Sequence, residues 1–164
     1  MGFAMFKPTE NDLQNVCTML GLMTLIWAWA ENALAISIGI IDGAVKEMRG
    51  QRDIPISLKR RVKYLRTALA DVPELESLKE RGNQLANDFI RLSVLRNELV
   101  HGSTWQLEKG GFESLGFAII GRQQTAKQKR FTIADAVSLN VEITKLANDA
   151  TAFLLRVSEI FPSA

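Results

Sequence analysis

Apolar residues recur along the first third of the chain at spacings of three, four and seven: Leu13, Val16, Cys17, Leu20, Trp27, Ala30, Leu34, Ile38, Ile41, Val45 and Met48. That period is helical. Pro8-Thr9-Glu10-Asn11-Asp12 adds a capping group and early acids at its start. The pattern predicts one long helix over residues 10–49, or two nearly collinear ones, with Gly21, Gly39 and Gly43 as weak points. Being apolar on more than one face, it is expected to be central or to lie against another subunit. Pro55 and Ser57 open a second helix, with Leu58, Val62, Leu65 and Leu69 inward and Lys59, Arg60, Arg61, Lys63 and Arg66 outward. Val72-Pro73-Glu74 starts a third. Its stripe runs Leu75, Leu78, Leu85, Phe89, Leu92, Leu95, Leu99 down to His101, where Gly102 stops it.

Beyond Gly102 the period shortens. Trp105 and Leu107 alternate, Lys109-Gly110-Gly111 reads as a turn, and Leu115, Phe117 and Ile119 alternate again. These features predict a small antiparallel β-hairpin near 104–121, followed by a polar loop containing Arg122, Gln123, Gln124, Lys127, Lys129 and Arg130. Thr132-Ile133-Ala134-Asp135 has the spacing of a cap and its acid. From there Val137, Val141, Leu146, Ala150, Phe153, Leu154 and Val157 carry a last helix to about residue 160. The outline is a mainly α protein: a single-domain helical bundle of four to five helices with one inserted hairpin.

Composition narrows the chemistry. A chain of 164 residues with 47% apolar and 23% charged residues has enough apolar content for its own core. A net charge of +2 is close to balance, so any nucleic-acid surface must come from local clusters. The single cysteine, Cys17, excludes an intramolecular disulfide, and one cysteine with one histidine argues against a transition-metal site. No cofactor is expected. Val16–Ala30 is an uncharged run of 15 residues. It lacks the basic leader of a signal peptide, and it is shorter than the roughly 20 residues that span a bilayer. A buried helix in a cytoplasmic protein, with no membrane partner, is the expectation.

The one histidine closes the third helix in Arg96-Asn97-Glu98-Leu99-Val100-His101, five residues after an arginine. Histidine has both protonation states accessible near neutral pH, which suits proton transfer to and from the oxygens of an RNA phosphodiester. Arginine offers a planar fork of donors to the charge on a pentacoordinate phosphate. Asn97 lies four residues from His101, about 40° away on an ideal helix, whereas Arg96 lies about 140° away. Arg96 must therefore bend round, the terminal turn must unwind, or a two-fold dimer must bring two helix ends together. The alternative is structural: a histidine in a last turn can satisfy carbonyls at the negative end of the dipole. The basic positions of the second helix likewise read either as a solvated face or as a phosphate-contacting one.

The same six residues match the Arg-x4–6-His signature of HEPN (higher eukaryotes and prokaryotes nucleotide-binding) domains, with a polar residue directly after the arginine. Trp27-Ala28-Trp29-Ala30-Glu31-Asn32-Ala33-Leu34 resembles the Trp/Glu/Leu pattern of the bacterial relatives. The resemblance implies a helical bundle, a homodimer with a composite cleft and, in many members, a metal-independent endoribonuclease of toxin or antiviral systems. Carried over, it makes Arg96 and His101 catalytic and Asn97 an assistant. Glu31 either orients them from a facing helix or simply pairs with an arginine. RNA would be held by Lys59, Arg60 and Lys63 and by Lys127, Lys129 and Arg130. The family also contains non-catalytic modules, which here implies pairing with a nucleotidyltransferase or antitoxin. The hairpin and its basic loop depart from the minimal bundle.

Overall fold

The period of the first third forms one uninterrupted helix, α1 (Glu10–Arg49), in a computed structural model of the protein. The structure describes residues 10–49, 56–100, 105–108, 111–120 and 123–162, with side chains at 14–45, 56–100 and 131–162. After α1 come α2 (Leu58–Asp71), a 3-10 segment (Pro73–Leu78) and α3 (Lys79–Val100). Three strands follow, β1 (Trp105–Glu108), β2 (Gly111–Ile120) and β3 (Gln123–Thr132), and then α4 (Ile133–Ile160). The protein is mainly α, as the apolar periods predict.

Two boundaries differ from the sequence reading. The third helix is expected to begin at Pro73, but that turn is 3-10, with Leu75 and Leu78 buried, and the α-helix begins at Lys79. Proline at the first position suits either form, because its missing N–H has no partner to lose. The larger correction concerns residues 104–130. The antiparallel β1–β2 pair lies where the hairpin is expected, but residues 123–130, expected as a polar loop, pair with β2 as β3, giving a three-stranded antiparallel sheet of order β1-β2-β3. β3 pairs with β2 along its whole length, from Ile120↔Gln123 to Gly111↔Thr132. Residues 123–130 have no apolar alternation to announce a strand, so it is the pairing with β2 that makes them one.

The chain forms two compact units. The first comprises residues 1–24 and 93–142 and contains the sheet. Val16, Met23, Leu99, Phe131, Ala136 and Leu139 are buried in it, and Asn140 Nδ2 of α4 donates to the Met19 carbonyl of α1 at 3.4 Å. The start of α4 is the capping box that the sequence predicts. The Asp135 N–H donates to Thr132 Oγ1 at 3.0 Å, while Thr132 N–H and Oγ1 both donate to Asp135 Oδ2 at 2.8 Å. Such a cap contributes about 1 kcal/mol.

The second unit comprises residues 25–92 and 143–164. Here α1 meets α3 through Trp27 and Phe89, ring edge to ring face at 5.8 Å, and meets α2 through Tyr64, whose hydroxyl donates to buried Asp42 at 3.0 Å. α3 approaches α2 and α4 at Gly82. A Cβ there would lie 2.6 Å from Leu69 Cδ1 and 3.0 Å from Phe153 Cε2. Leu69 is 1% exposed and Phe153 fully buried, so neither has solvent to move into. Gly82→Ala is therefore expected to lower the urea midpoint. Overpacking costs about 1–3 kcal/mol and the better helix propensity returns about 1, leaving a net loss of roughly 1 kcal/mol. An unchanged midpoint would mean that Leu69 yields at no cost.

Among the described residues, Gln14–Val45 is long and apolar enough to cross a membrane by length and composition. Of its most apolar window 39% is buried within the protein. The inner stripe includes Trp27, Ala30, Leu34, Ile38 and Ile41, none more than 3% exposed.

Candidate functional site

Arg96 and Asn97 lie in the last turns of α3, in the first unit. Leu99, fully buried, anchors that end of the helix and fixes its rotation. Arg96 is half-buried, with its Nε shielded from solvent, and Asn97 is exposed. Adjacent positions on a helix point about 100° apart and do not normally meet. Here they do: Arg96 Nη1 donates to Asn97 Oδ1 at 3.0 Å. His101, which completes the motif, lies outside the described residues.

Glu31 belongs to the second unit and is half-buried on α1. Its Oε1 accepts a hydrogen bond from Trp27 Nε1 at 2.8 Å, one turn earlier on the same helix. That contact gives the carboxylate a structural role, because it satisfies an indole N–H that is otherwise buried with its ring. The pair is legible in the sequence, since a tryptophan and a glutamate four apart share a helix face.

The basic positions fall into two groups. Lys59, Arg60 and Lys63 are exposed on α2, whose first turn carries no acid and whose only acid is Asp71 at the far end. Arg66, on the same helix, is tied to α3 through Nη2 to Asn87 Oδ1 at 2.7 Å. Lys127, Lys129 and Arg130 belong to the first unit and are strand residues, not loop residues, opposite Gly116, Ser114 and Glu113 of β2; their side chains lie outside the described residues.

A polar groove of about 350 Å³ in the second unit has no counterpart in the sequence reading. Glu80, Arg81, Gln84, Leu85 and Asp88 of α3 line it together with Asp149 of α4. Its charges are largely matched internally. Arg81 Nη2 lies 3.8 Å from Asp149 Oδ1, Gln84 Nε2 donates to Asp88 Oδ2 at 3.0 Å, and Arg91 Nη2 lies 3.3 Å from Asp88 Oδ1. The α3 members are spaced three and four apart, but nothing local links them to Asp149. Among the described residues no group of three His, Cys, Asp or Glu side chains is arranged to hold a metal ion.

The described part of the site is a guanidinium whose Nη1 is held against an exposed amide in the last turns of α3. No family model matches the chain, and neither a curated protein nor a solved structure matches it.

Proposed function

We propose that the protein is a metal-independent endoribonuclease of the HEPN type, toxin- or defence-related, acting as a homodimer with a composite Arg/His cleft. The observation that carries this reading is the Arg96–Asn97 hydrogen bond. It draws the guanidinium to the side of α3 that the four-residue spacing assigns to His101, so the donor fork and the imidazole serve one phosphate. In this mechanism a histidine takes the ribose 2′-hydroxyl proton, the 2′-oxygen attacks phosphorus, and Arg96 stabilises the pentacoordinate charge. The leaving 5′-oxygen then receives a proton from the second histidine of the dimer. The bond to the 5′-oxygen breaks as the bond to the 2′-oxygen forms. The products are a 2′,3′-cyclic phosphate and a 5′-hydroxyl. The exposed cations Lys59, Arg60 and Lys63, with Lys127, Lys129 and Arg130, are assigned to the RNA backbone.

The test is purified protein incubated with mixed RNA in EDTA. Fragments ending in 2′,3′-cyclic phosphate are expected, and RNA that stays intact would overturn the reading. The second reading is a non-catalytic helical module that pairs with a nucleotidyltransferase or antitoxin. It draws on Glu31, whose carboxylate is engaged by Trp27 within its own helix. That reading expects intact RNA together with a co-purifying partner.

A further inference from the structure

The outer side of α1 in the second unit carries large apolar residues that its own core does not use. Leu25 is 71% exposed, Trp29 65% and Ile36 44%. Ala28 and Asn32 are exposed among them, and Ala35 and Gly39 are half-buried beside them. At 100° per residue these seven positions fall within an arc of about 120°. The three large side chains alone leave on the order of 350 Å² of apolar surface open, a size at which exposed patches mark interaction sites. A standard interface needs about 800 Å² per partner, so this stripe and its flanks fit the centre of one.

What covers it follows from its charge and its order of sizes. Gln14–Val45 contains two charged residues, Glu31 and Asp42. Asp42 is buried, and Glu31 is held by Trp27. Such a surface meets a copy of itself without like-charge repulsion, and it offers nothing to steer in a charged partner. Now place a two-fold axis at Asn32 with two α1 helices antiparallel. Leu25 then falls opposite Gly39 of the second copy, Ala28 opposite Ile36, and Trp29 opposite Ala35. Each large residue meets a small one. Apart from the adjoining backbone of α1 itself, no atom lies within 4 Å of where a Cβ on Gly39 would be, so the space for the opposing leucine is open. Asn32 meets its own mate, and an amide can both donate and accept there, the kind of central polar pair that fixes helix register. In lipid the same amide would be penalised, and the opposite face of α1 is already committed to the protein core.

We infer that the Leu25–Gly39 face of α1 is a self-complementary, two-fold interface with a second copy of this chain. This deepens the homodimer part of the function proposed above and rests on it: a monomeric wild type would sink both, whereas a dimer that survives Gly39→Leu would overturn this interface alone. The experiment is sedimentation of the full chain at micromolar concentration. Wild type should have the mass of a dimer, and Leu25→Glu and Gly39→Leu should each weaken association at least tenfold while retaining wild-type helical circular dichroism. Gly39→Leu is the safer variant, because its side chain enters open space in one protomer and clashes only with the mate. In a Cys17→Ser background, Asn32→Cys should oxidise to a covalent dimer and Leu25→Cys should not. A monomeric wild type would overturn the inference, as would a dimer that survives Gly39→Leu. Flotation of wild type on phosphatidylcholine vesicles would overturn it in favour of a bilayer.

Discussion

His101→Ala is expected to lower the rate of RNA cleavage in EDTA by about 10²–10⁴ fold, the range that a positioned acid or base contributes. That corresponds to roughly 3–5 kcal/mol of lost transition-state stabilisation. Leu99, fully buried, packs the last described turn of α3. Helical circular dichroism and the unfolding midpoint should therefore stay within error of wild type. The pH profile provides a second readout. If one histidine of the dimer acts as base and the other as acid, the rate should rise and then fall across the histidine range, giving a bell. Arg96→Lys separates charge from shape: it keeps the cation but loses the planar fork that donates to Asn97 and, in the proposed mechanism, to a phosphate oxygen. A folded His101→Ala protein that cleaves at the wild-type rate would sink the catalytic assignment while leaving the fold untouched.

Phe89→Ala should be the most damaging single change to stability, at about 3–5 kcal/mol. Phe89 is fully buried in the second unit, and its ring meets Trp27 at an interplanar angle of 79°. The substitution removes the ring's buried area, opens a cavity, and breaks an edge-to-face contact of about 0.5–1.5 kcal/mol that the total already includes. It also unsettles the indole that Glu31 accepts from, so a polar pair on α1 loses its packing. Domains of this size have about 5–15 kcal/mol in total, so the loss is a large share of the margin. Equilibrium urea unfolding checks it; a fall of less than about 1 kcal/mol would mean that neighbouring side chains close the gap.

Features set by near neighbours are legible in the sequence, and features set by distant partners are not. The cap at Thr132 and Asp135 depends on residues three apart, and it forms as that spacing predicts. The stripes of α1 and α2 are legible for the same reason, burial on a helix repeating every three or four residues, although Cys17 is exposed; on α4 Leu146, Ala150, Phe153 and Val157 are buried as that period predicts, whereas Val137 and Val141 are exposed. The buried Asp42 bonds a tyrosine 22 positions away, which no periodicity announces. The polar groove needs Asp149 to come alongside α3, again a tertiary fact. Most instructive is β3. Its first eight residues lack apolar alternation, so composition argues for a loop, while ten rungs of pairing to β2 make it a strand. In the candidate site, spacing places Arg96 and Asn97 on different sides of α3. Only the length of the arginine side chain brings them together.

Thr132 is both the last rung of β3, opposite Gly111, and the cap of α4, with no residue between strand and helix. A strand whose sides are equally polar carries little information about which rung should face which, and such strands are prone to slip. Here the information lies at the end of the strand. A slip of one residue would turn Phe131, 6% exposed, toward the opposite face, and one that drew Ile133 into the ladder would also unwind the capped first turn of α4. Two local penalties thus fall on the same error. The first turn of α4 acts as a stop that sets the alignment of a strand otherwise free to slide, and β3 can tolerate wide variation upstream of Phe131 without losing its place.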